Sequence, residues 1–466
     1  VRKFGSFLSD SNYRLQPGIG SARGTQRLTS TQKKPQSAAD GHLPQARLVA
    51  FSRKAQYSGE TPLESVTLAS IETARERIGD AIHLSPCQLS HHLSERIGHP
   101  IYLKLENLQR TGSFKERGAL NKLLTLSAEE RSRGVIAASA GNHAQGVAFH
   151  ATKLGIRSQI VMPEATPLVK VVATRGFGAE VILHGANYDE ACEEALDRCT
   201  QQGLTFIHPF DDPVVIAGQG TIGLELLEQV PDLEAVVVPI GGGGLISGIA
   251  CALKERNPKI RVIGVEPEKL PSMLRAREAG VPITLAPQAT IADGIAVRRA
   301  GDVTLPLVSR YVDEIVTVDD EEIASAILML LEQEKTLAEG AGAAALAALL
   351  QSKTNLGHRR TAVLVCGGNI DVTLLAKIIE RGLVKDGRQL RVRVYLLDRP
   401  GALLHLTEIL ARERANIVET IHNRSYYGVS LAETVIDVTL ETRGATHITA
   451  ISHALSEAGF RFERIL

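Results

Sequence analysis

Four consecutive glycines stand in the run Val236-Val237-Val238-Pro239-Ile240-Gly241-Gly242-Gly243-Gly244-Leu245, between strand-forming residues and a helix-forming stretch. Lacking a Cβ, glycine lets backbone amides turn toward a ligand and approach it closely. A helix starting at the same point adds unpaired N–H groups and the positive end of its dipole. The pattern predicts a phosphate cradle built from amides, with no lysine side chain in it. A flexible loop is the plainer alternative, but such loops rarely sit flush between a buried strand and a helix. Upstream, Lys115 follows Ser113 and Phe114 in Lys104-Leu105-Glu106-Asn107-Leu108-Gln109-Arg110-Thr111-Gly112-Ser113-Phe114-Lys115. A lone lysine is usually a solvated surface group. Beside an aromatic ring it can lie in a partly apolar pocket, where desolvation lowers its pKa and makes the amine nucleophilic. Together, lysine and cradle supply what an aldehyde cofactor bearing a phosphate requires.

Two further stretches fit that chemistry. Ser139-Ala140-Gly141-Asn142-His143-Ala144-Gln145-Gly146 lies at a strand-to-helix turn, where amides can hold a carboxylate. Asn142 either donates to an oxygen on a cofactor ring or simply caps the helix. In Val365-Cys366-Gly367-Gly368-Asn369, Cys366 ends a buried strand. A thiol beside a pyridine nitrogen leaves that nitrogen near neutral, which favours elimination over deeper carbanion chemistry. By itself Cys366 is only a small buried residue. Gly218-Gln219-Gly220-Thr221-Ile222-Gly223 matches the dinucleotide fingerprint G-x-G-x-x-G, but the next strand ends in Gly241 where an acid is needed. These glycines are expected to serve a helix start and close packing.

The elements that must carry these motifs alternate between residues 65 and 385. Val135–Ser139 precedes a helix from Asn142, and Gln159–Met162 one from Pro167. Glu180–Leu183 leads to Asp189–Gln201, and Ala235–Ile240 to Leu245–Glu255. Arg261–Val265, Glu314–Val318 and Thr361–Val365 continue the series. Unbroken Val/Ile runs suit strands buried on both faces, and the alternation predicts an α/β fold with parallel sheets under helices. After a polar step at 385–389, residues 390–466 read as β-α-β-β-α-β, the ferredoxin-like order.

Composition bounds the rest. With 466 residues the chain is longer than one core usually serves, so two or three domains are expected. Formal net charge is zero, which gives no bulk-charge attraction to nucleic acid or membrane surfaces. The longest apolar stretch, Ala341–Leu350, is too short to span a bilayer and reads as a buried helix. Five scattered cysteines with no C-x-x-C pair argue against a disulfide framework or a structural zinc site and favour a reducing, cytoplasmic setting. Residues 1–60 hold ten Lys or Arg against three acids, with Ser, Gln, Gly and Pro common. That composition favours a disordered basic tail, or sequence from a mis-set start, over an organelle transit peptide.

In this order, the four motifs resemble those of the fold-type II pyridoxal phosphate enzymes (tryptophan synthase β-like), most closely the threonine dehydratases, from about Thr61 to Leu383. The resemblance implies a catalytic domain over 61–385, with a smaller subdomain at about 132–210, and pyridoxal 5'-phosphate held by Lys115 as a Schiff base. It places Gly241, Gly242, Gly243, Gly244 and Leu245 at the phosphate, Asn142 at the ring oxygen, and Phe114 and Gly294 against the ring. Cys366 falls at the ring nitrogen, Glu339 beneath the ring, and Ser139, Ala140, Gly141, Asn142 and His143 at the substrate carboxylate. The implied reaction deaminates L-threonine to 2-oxobutanoate and ammonia, as in isoleucine biosynthesis.

Departures from related patterns refine this. Serine racemases carry Ser where this chain has Ala140, so only the Lys115 face has an evident base, which fits elimination. Racemase-like members bind a divalent metal through a Glu and a downstream Asp. Here Glu266 remains but Ser272 takes the Asp place, so no metal is expected. Many threonine dehydratases have Ser where this chain has Cys366, and Cys is found in some serine dehydratases, which keeps L-serine as a substrate and a serine dehydratase or broad hydroxy-amino-acid ammonia-lyase as an alternative. Residues 390–466 resemble a single ACT domain, implying an amino-acid effector held by Asp398, Pro400, Gly401 and Asn416 at a paired-domain interface, and a homodimer or homotetramer. A dimerisation module without ligand, or an amino-acid-sensing protein with an inert cofactor domain, are the competing readings.

Overall fold

The computed structural model describes residues 66–424 and 430–465. The basic tail over 1–60 and the start of the catalytic region at 61 lie outside the described residues. In chain order the strands are β1 Cys87–Ser90, β2 Ile101–Leu105, β3 Val135–Ala138, β4 Ser158–Met162, β5 Glu180–Leu183, β6 Thr205–Phe206 and β7 Ala235–Pro239. There follow β8 Arg261–Pro267, β9 Glu314–Val318, β10 Thr361–Val365, β11 Gln389–Leu397, β12 Asn416–Asn423, β13 Glu433–Glu441 and β14 Arg461–Arg464.

They form three sheets. The largest has the order β1-β2-β10-β7-β8-β9 and is parallel except for β1, which pairs antiparallel with β2 at the edge. The second, β5-β4-β3-β6, is parallel throughout. Its central strands and the central strands β7 and β10 of the first sheet are buried at every residue, which is why β3 and β7 are unbroken apolar runs, while β4 opens on the buried Ser158 and Gln159 and β10 on the buried Thr361. The third, β12-β13-β11-β14, is antiparallel and carries two helices, Ala402–Arg412 and Ala445–Glu457, in β-α-β-β-α-β order. The expected α/β architecture with a ferredoxin-like C-terminal unit is therefore present.

Sequence periodicity missed β2 and the helix Pro213–Gln229. That helix is buried along most of its length, so it has no polar face to mark a period of 3.6. It opens on Asp212, whose carboxylate accepts from the amides of Val214 and Val215, with Pro213 as its first residue. Gly218, Gly220 and Gly223 lie in its interior, which corrects the expected helix start. The expected close packing is what they serve. A Cβ on Gly218 would come within 2.7 Å of the Gly118 Cα, and one on Gly220 within 2.9 Å of the Gly248 carbonyl oxygen. The alanine-rich stretch forms a buried helix, Gly340–Leu350, as expected. Among the described residues, no helix is long and apolar enough to cross a membrane.

The helix Val372–Lys385 leads into the C-terminal sheet. It is tied back to the first sheet's layer by Lys385 on Ser325, and Arg388 at the start of the third sheet pairs with Glu332.

Candidate active site

Lys115 is the first residue of the helix Lys115–Leu124, with Phe114 at its N-cap. The loop before it is threaded beside the segment after β10. Phe114 N donates to the Cys366 carbonyl at 3.1 Å, and Gly368 N donates to the Gly112 carbonyl at 2.9 Å. Two residues on, the fully buried Arg117 donates to Glu106 at 2.8 Å and to Glu225 at 2.6 Å. Lys104 adds a 2.5 Å contact to Glu225. This buried charge network pins the helix that begins at Lys115. The Lys115 amine donates to the Pro209 carbonyl at 2.8 Å and lies 5.2 Å from the centre of the Phe114 ring. Burial lowers its pKa to about 8, with Cys366 and Glu339 opposing the shift. A neutral, nucleophilic amine is thus accessible near physiological pH.

The glycine run leaves β7 and enters the helix Gly244–Arg256. Gly243 has φ +95°, open to glycine alone without strain. A Cβ on Gly242 would come within 2.3 Å of the Phe210 ring, and one on Gly244 within 2.6 Å of the Phe210 carbonyl oxygen. Thr304 Oγ1 donates to the Gly242 carbonyl at 2.6 Å and turns that oxygen aside. The first amides of the helix have no partner within it, and Leu245 is buried beneath them. Phe210 follows Pro209, the partner of Lys115, so cradle and amine share one wall.

Asn142, Glu339 and Cys366 close the other side. Asn142 is the first residue of the helix Asn142–Lys153, whose N-cap is Gly141, so its side chain is not the cap. Its Nδ2 donates to Glu339 Oε1 at 2.6 Å, and its Oδ1 accepts from Asn369 Nδ2 at 2.8 Å. Burial, helped by the charge of Asp293, raises the Glu339 carboxyl to about 7 against the Asn142 bond. Burial also lifts the Cys366 thiol well above its ordinary range, with Glu339 adding to the shift. A Cβ on Gly367 would come within 2.3 Å of Glu339 Oε1, and one on Gly294 within 3.4 Å of the same atom. Gly294 and Gly367 therefore flank the carboxyl.

Of the residues expected at a substrate carboxylate, Ser139, Ala140, Gly141 and Asn142 line a half-buried turn. Gly141 N donates to Ser139 Oγ at 3.2 Å. His143 differs: its Nε2 donates to the Ile207 carbonyl at 2.9 Å. Burial, with the Lys115 charge adding, lowers its pKa to about 3, so it is neutral.

Sequence reasoning missed Ile207 to Asp211 altogether. His208 Nδ1 accepts from the amides of Phe210 and Asp211, at 3.2 and 2.7 Å. The Asp211 carboxylate accepts from the amides of Asp302, Val303 and Thr304 at 2.9 to 3.1 Å. The segment thereby joins the amine, the cradle and the start of the helix Thr304–Tyr311. No local spacing marks it; only the His-Pro-Phe-Asp-Asp cluster between a strand and a helix hinted at a built turn.

Glu266 accepts from the amides of Met273 and Leu274, both at 2.8 Å, and burial raises its pKa to about 8. Both oxygens of its carboxyl group are thus committed to the start of the helix Ser272–Ala279.

In the C-terminal unit, Asp398, Pro400 and Gly401 form the turn after β11, next to the start of β13, since Leu397 pairs with Glu433. Asn416 opens β12 opposite Glu441, at the far end of β13, and its Nδ2 donates to Glu441 at 2.8 Å. The nine residues of β13 separate the two by about 25 Å. Within one chain the turn and Asn416 are not brought together.

The geometry fits an aldehyde cofactor with a phosphate: a lysine amine of lowered pKa, the first amides of a helix on a glycine turn, which have no partner within that helix, and the Asn142 amide beside Glu339. The buried oxygens of Thr111 and Ser113 and the Nδ1 of His143 also lack partners.

Residues 78–367 match the sequence profile of the family described as pyridoxal-phosphate dependent enzyme. An L-threonine ammonia-lyase of Thermotoga maritima is 50% identical over 395 residues, covering 85% of this chain and 98% of the relative. The processed form of threonine deaminase isoform 2 from Solanum lycopersicum superposes with a TM-score of 0.64 at 39% identity, over 68% of this chain and 87% of the other. Maize serine racemase does so with a TM-score of 0.65 at 36% identity, over 69% and 99%. The chain belongs to the pyridoxal-phosphate-dependent enzymes, within the branch that holds the threonine ammonia-lyases, and its cofactor is pyridoxal 5'-phosphate.

Proposed function

We propose that the chain deaminates L-threonine to 2-oxobutanoate and ammonia, with L-serine as a second substrate. The half-buried Lys115, whose amine donates to the Pro209 carbonyl and has its pKa lowered to about 8, carries the reading. When bound, pyridoxal 5'-phosphate supplies the electron sink that lets the Cα–H and Cβ–O bonds break. The amides of Gly241 to Leu245 would hold its phosphate, and Asn142 would donate to its ring oxygen. Phe114 and Gly294 would bound its ring. Lys115, as a neutral amine, takes the Cα proton. The Cys366 thiol, held protonated by burial, would meet the ring nitrogen without a charge of its own. Amides of Ser139, Ala140, Gly141 and Asn142 orient the substrate carboxylate. His143 supports this turn from behind, through Ile207. Ala140 has no proton to give on the far face, which supports elimination over racemisation.

Threonine and serine differ by one methyl group, worth only about 1–3 kcal/mol in a pocket, so activity on both is expected. Support for threonine comes from the relatives named ammonia-lyase and deaminase. Keto acid release from L-threonine and L-serine, in wild type and Lys115→Ala, tests the reading. Equal turnover in the two proteins would sink it. Bound cofactor without release from either substrate would favour the amino-acid-sensing alternative.

The division into a basic tail at 1–60, a catalytic region at 61–385 and an ACT-like regulatory region at 390–466 belongs to the same proposal. So do a homodimer or homotetramer and a cytoplasmic setting, the last supported by the free thiols of Cys87, Cys251 and Cys366. An amino-acid effector held by both the 398–401 turn and Asn416 needs two copies of the chain, because one chain keeps them at opposite ends of its sheet. A branched-chain amino acid added to the threonine assay tests that control.

A further inference from the structure

Asn369 lies among the site residues without a role in the reaction outlined above. Its Nδ2 donates to the Thr111 carbonyl at 2.8 Å and to Asn142 Oδ1 at 2.8 Å. Asn142 Nδ2 in turn donates to Glu339 Oε1 at 2.6 Å. A side-chain amide has one accepting end and one donating end. With its oxygen held by Asn369, the Asn142 amide must present its nitrogen to Glu339. Turned over, it would set NH2 against the NH2 of Asn369 and lose that bond, and its oxygen would face a carboxyl that can donate to it only when protonated. Leaving such groups unpaired costs more than the bonds contribute when made.

The backbone fixes Asn369 in turn. Gly368 N donates to the Gly112 carbonyl at 2.9 Å. Gly112 has φ +73°, and a Cβ there would come within 2.4 Å of Asn369 Oδ1, so glycine leaves the space that this amide fills.

We propose that Asn369 is a positioning residue that locks the Asn142 amide with its nitrogen toward Glu339 and the ring-oxygen side of the cofactor. It acts through Asn142 and touches neither substrate nor cofactor. The inference rests on the reading of Asn142 as the donor to the ring oxygen.

The test uses full-length protein loaded with pyridoxal 5'-phosphate. Asn369→Ala removes the amide, whereas Asn369→Asp keeps its shape but offers only acceptors near neutral pH. The readouts are the pH titration of the lysine-bound cofactor's visible absorbance, the melting temperature, and kcat and KM for L-threonine. Both variants are expected to move the titration midpoint, Asp at least as far as Ala. Their kcat falls on the order of tenfold while KM changes less. In an Asn142→Ala background, Asn369→Ala adds no further spectral shift. Wild-type titration in Asn369→Asp would mean that the side chain only fills space, and would overturn the proposal. A further shift in the Asn142→Ala background would overturn it as well. Where Asn369→Asp does not fold, the Asn369 and Asn142 double-mutant cycle decides alone. Failure of the underlying cofactor reading is distinguishable: wild type would then gain no visible absorbance on adding cofactor, or Lys115→Ala would keep it.

Discussion

The Lys115 amine donates to the Pro209 carbonyl at 2.8 Å, across 94 residues of chain. Pro209 has no side-chain donor or acceptor and could not be picked out by residue type. Its carbonyl nevertheless sets where the amine rests, and the next residue, Phe210, forms the floor under Gly242 and Gly244. Amine and phosphate cradle are therefore spaced by a single turn of backbone.

Removing the amine should abolish covalent capture of the cofactor. Lys115→Ala is expected to lose the visible absorbance of the lysine-bound cofactor and at least about a thousandfold in kcat. Lys115→Arg should be as inactive, because a guanidinium does not deprotonate. Turnover within tenfold of wild type in either variant would contradict the assignment.

The lowered lysine pKa gives a pH signature in the cofactor-free protein. Below about 8 the amine is mostly protonated and cannot attack an aldehyde. The rate of cofactor uptake should rise with pH through about 8 and then level off. Stopped-flow absorbance on apo-protein measures this. A midpoint near the ordinary lysine value would show that burial does not act on the amine.

Glu339 links stability to pH with the opposite charge type. Its folded pKa is raised from 4.5 to about 7, so between those values the folded protein binds more protons than the unfolded chain. Stability from this group is full below 4.5 and is lost as pH rises toward 7. Glu339→Gln should therefore gain on wild type at pH 8, by up to a few kcal/mol, and gain little at pH 5. Denaturant unfolding of the apo-proteins at the two pH values checks the difference. An equal gain at both would point to a cause other than ionisation.

Crowding at the cradle makes Gly242 sensitive. Gly242→Ala would drive a methyl group into the Phe210 ring, which must shift. A stability loss of about 1–3 kcal/mol is expected, along with weaker retention of the cofactor on dialysis. Unchanged retention would mean that the amides do not bind its phosphate.

Arg117 bridges two buried carboxylates, Glu106 and Glu225. Arg117→Ala leaves both without their main partner and is expected to cost about 3–5 kcal/mol. The melting curve of the variant measures this. A loss below about 1 kcal/mol would show that Lys104 and Ser85 suffice to neutralise the pair.

Much of this protein was legible in the amino-acid order. The Val/Ile runs followed by helical stretches determined the parallel sheets, because strands buried on both faces admit few polar residues. Gly241 to Gly244 marked a close-approach turn, and Lys115 beside Phe114 marked a candidate amine. The start of the helix Pro213–Gln229 was misplaced at its glycines because a segment buried on nearly every side carries no amphipathic period to mark its bounds. What only the tertiary structure decided is which of these groups meet. Asn142 and Glu339 are 197 residues apart, and Asn369 and Thr111 are 258 apart, so their hydrogen bonds leave no trace in local spacing. The segment Ile207 to Asp211 binds the halves of the site through backbone carbonyls and amides, groups that every residue type shares. In the C-terminal unit the resemblance named the turn and Asn416 together, and the antiparallel course of β13 put them at opposite ends. Residue type determines which chemistry is available, whereas the packing of distant segments determines which atoms come within hydrogen-bonding reach.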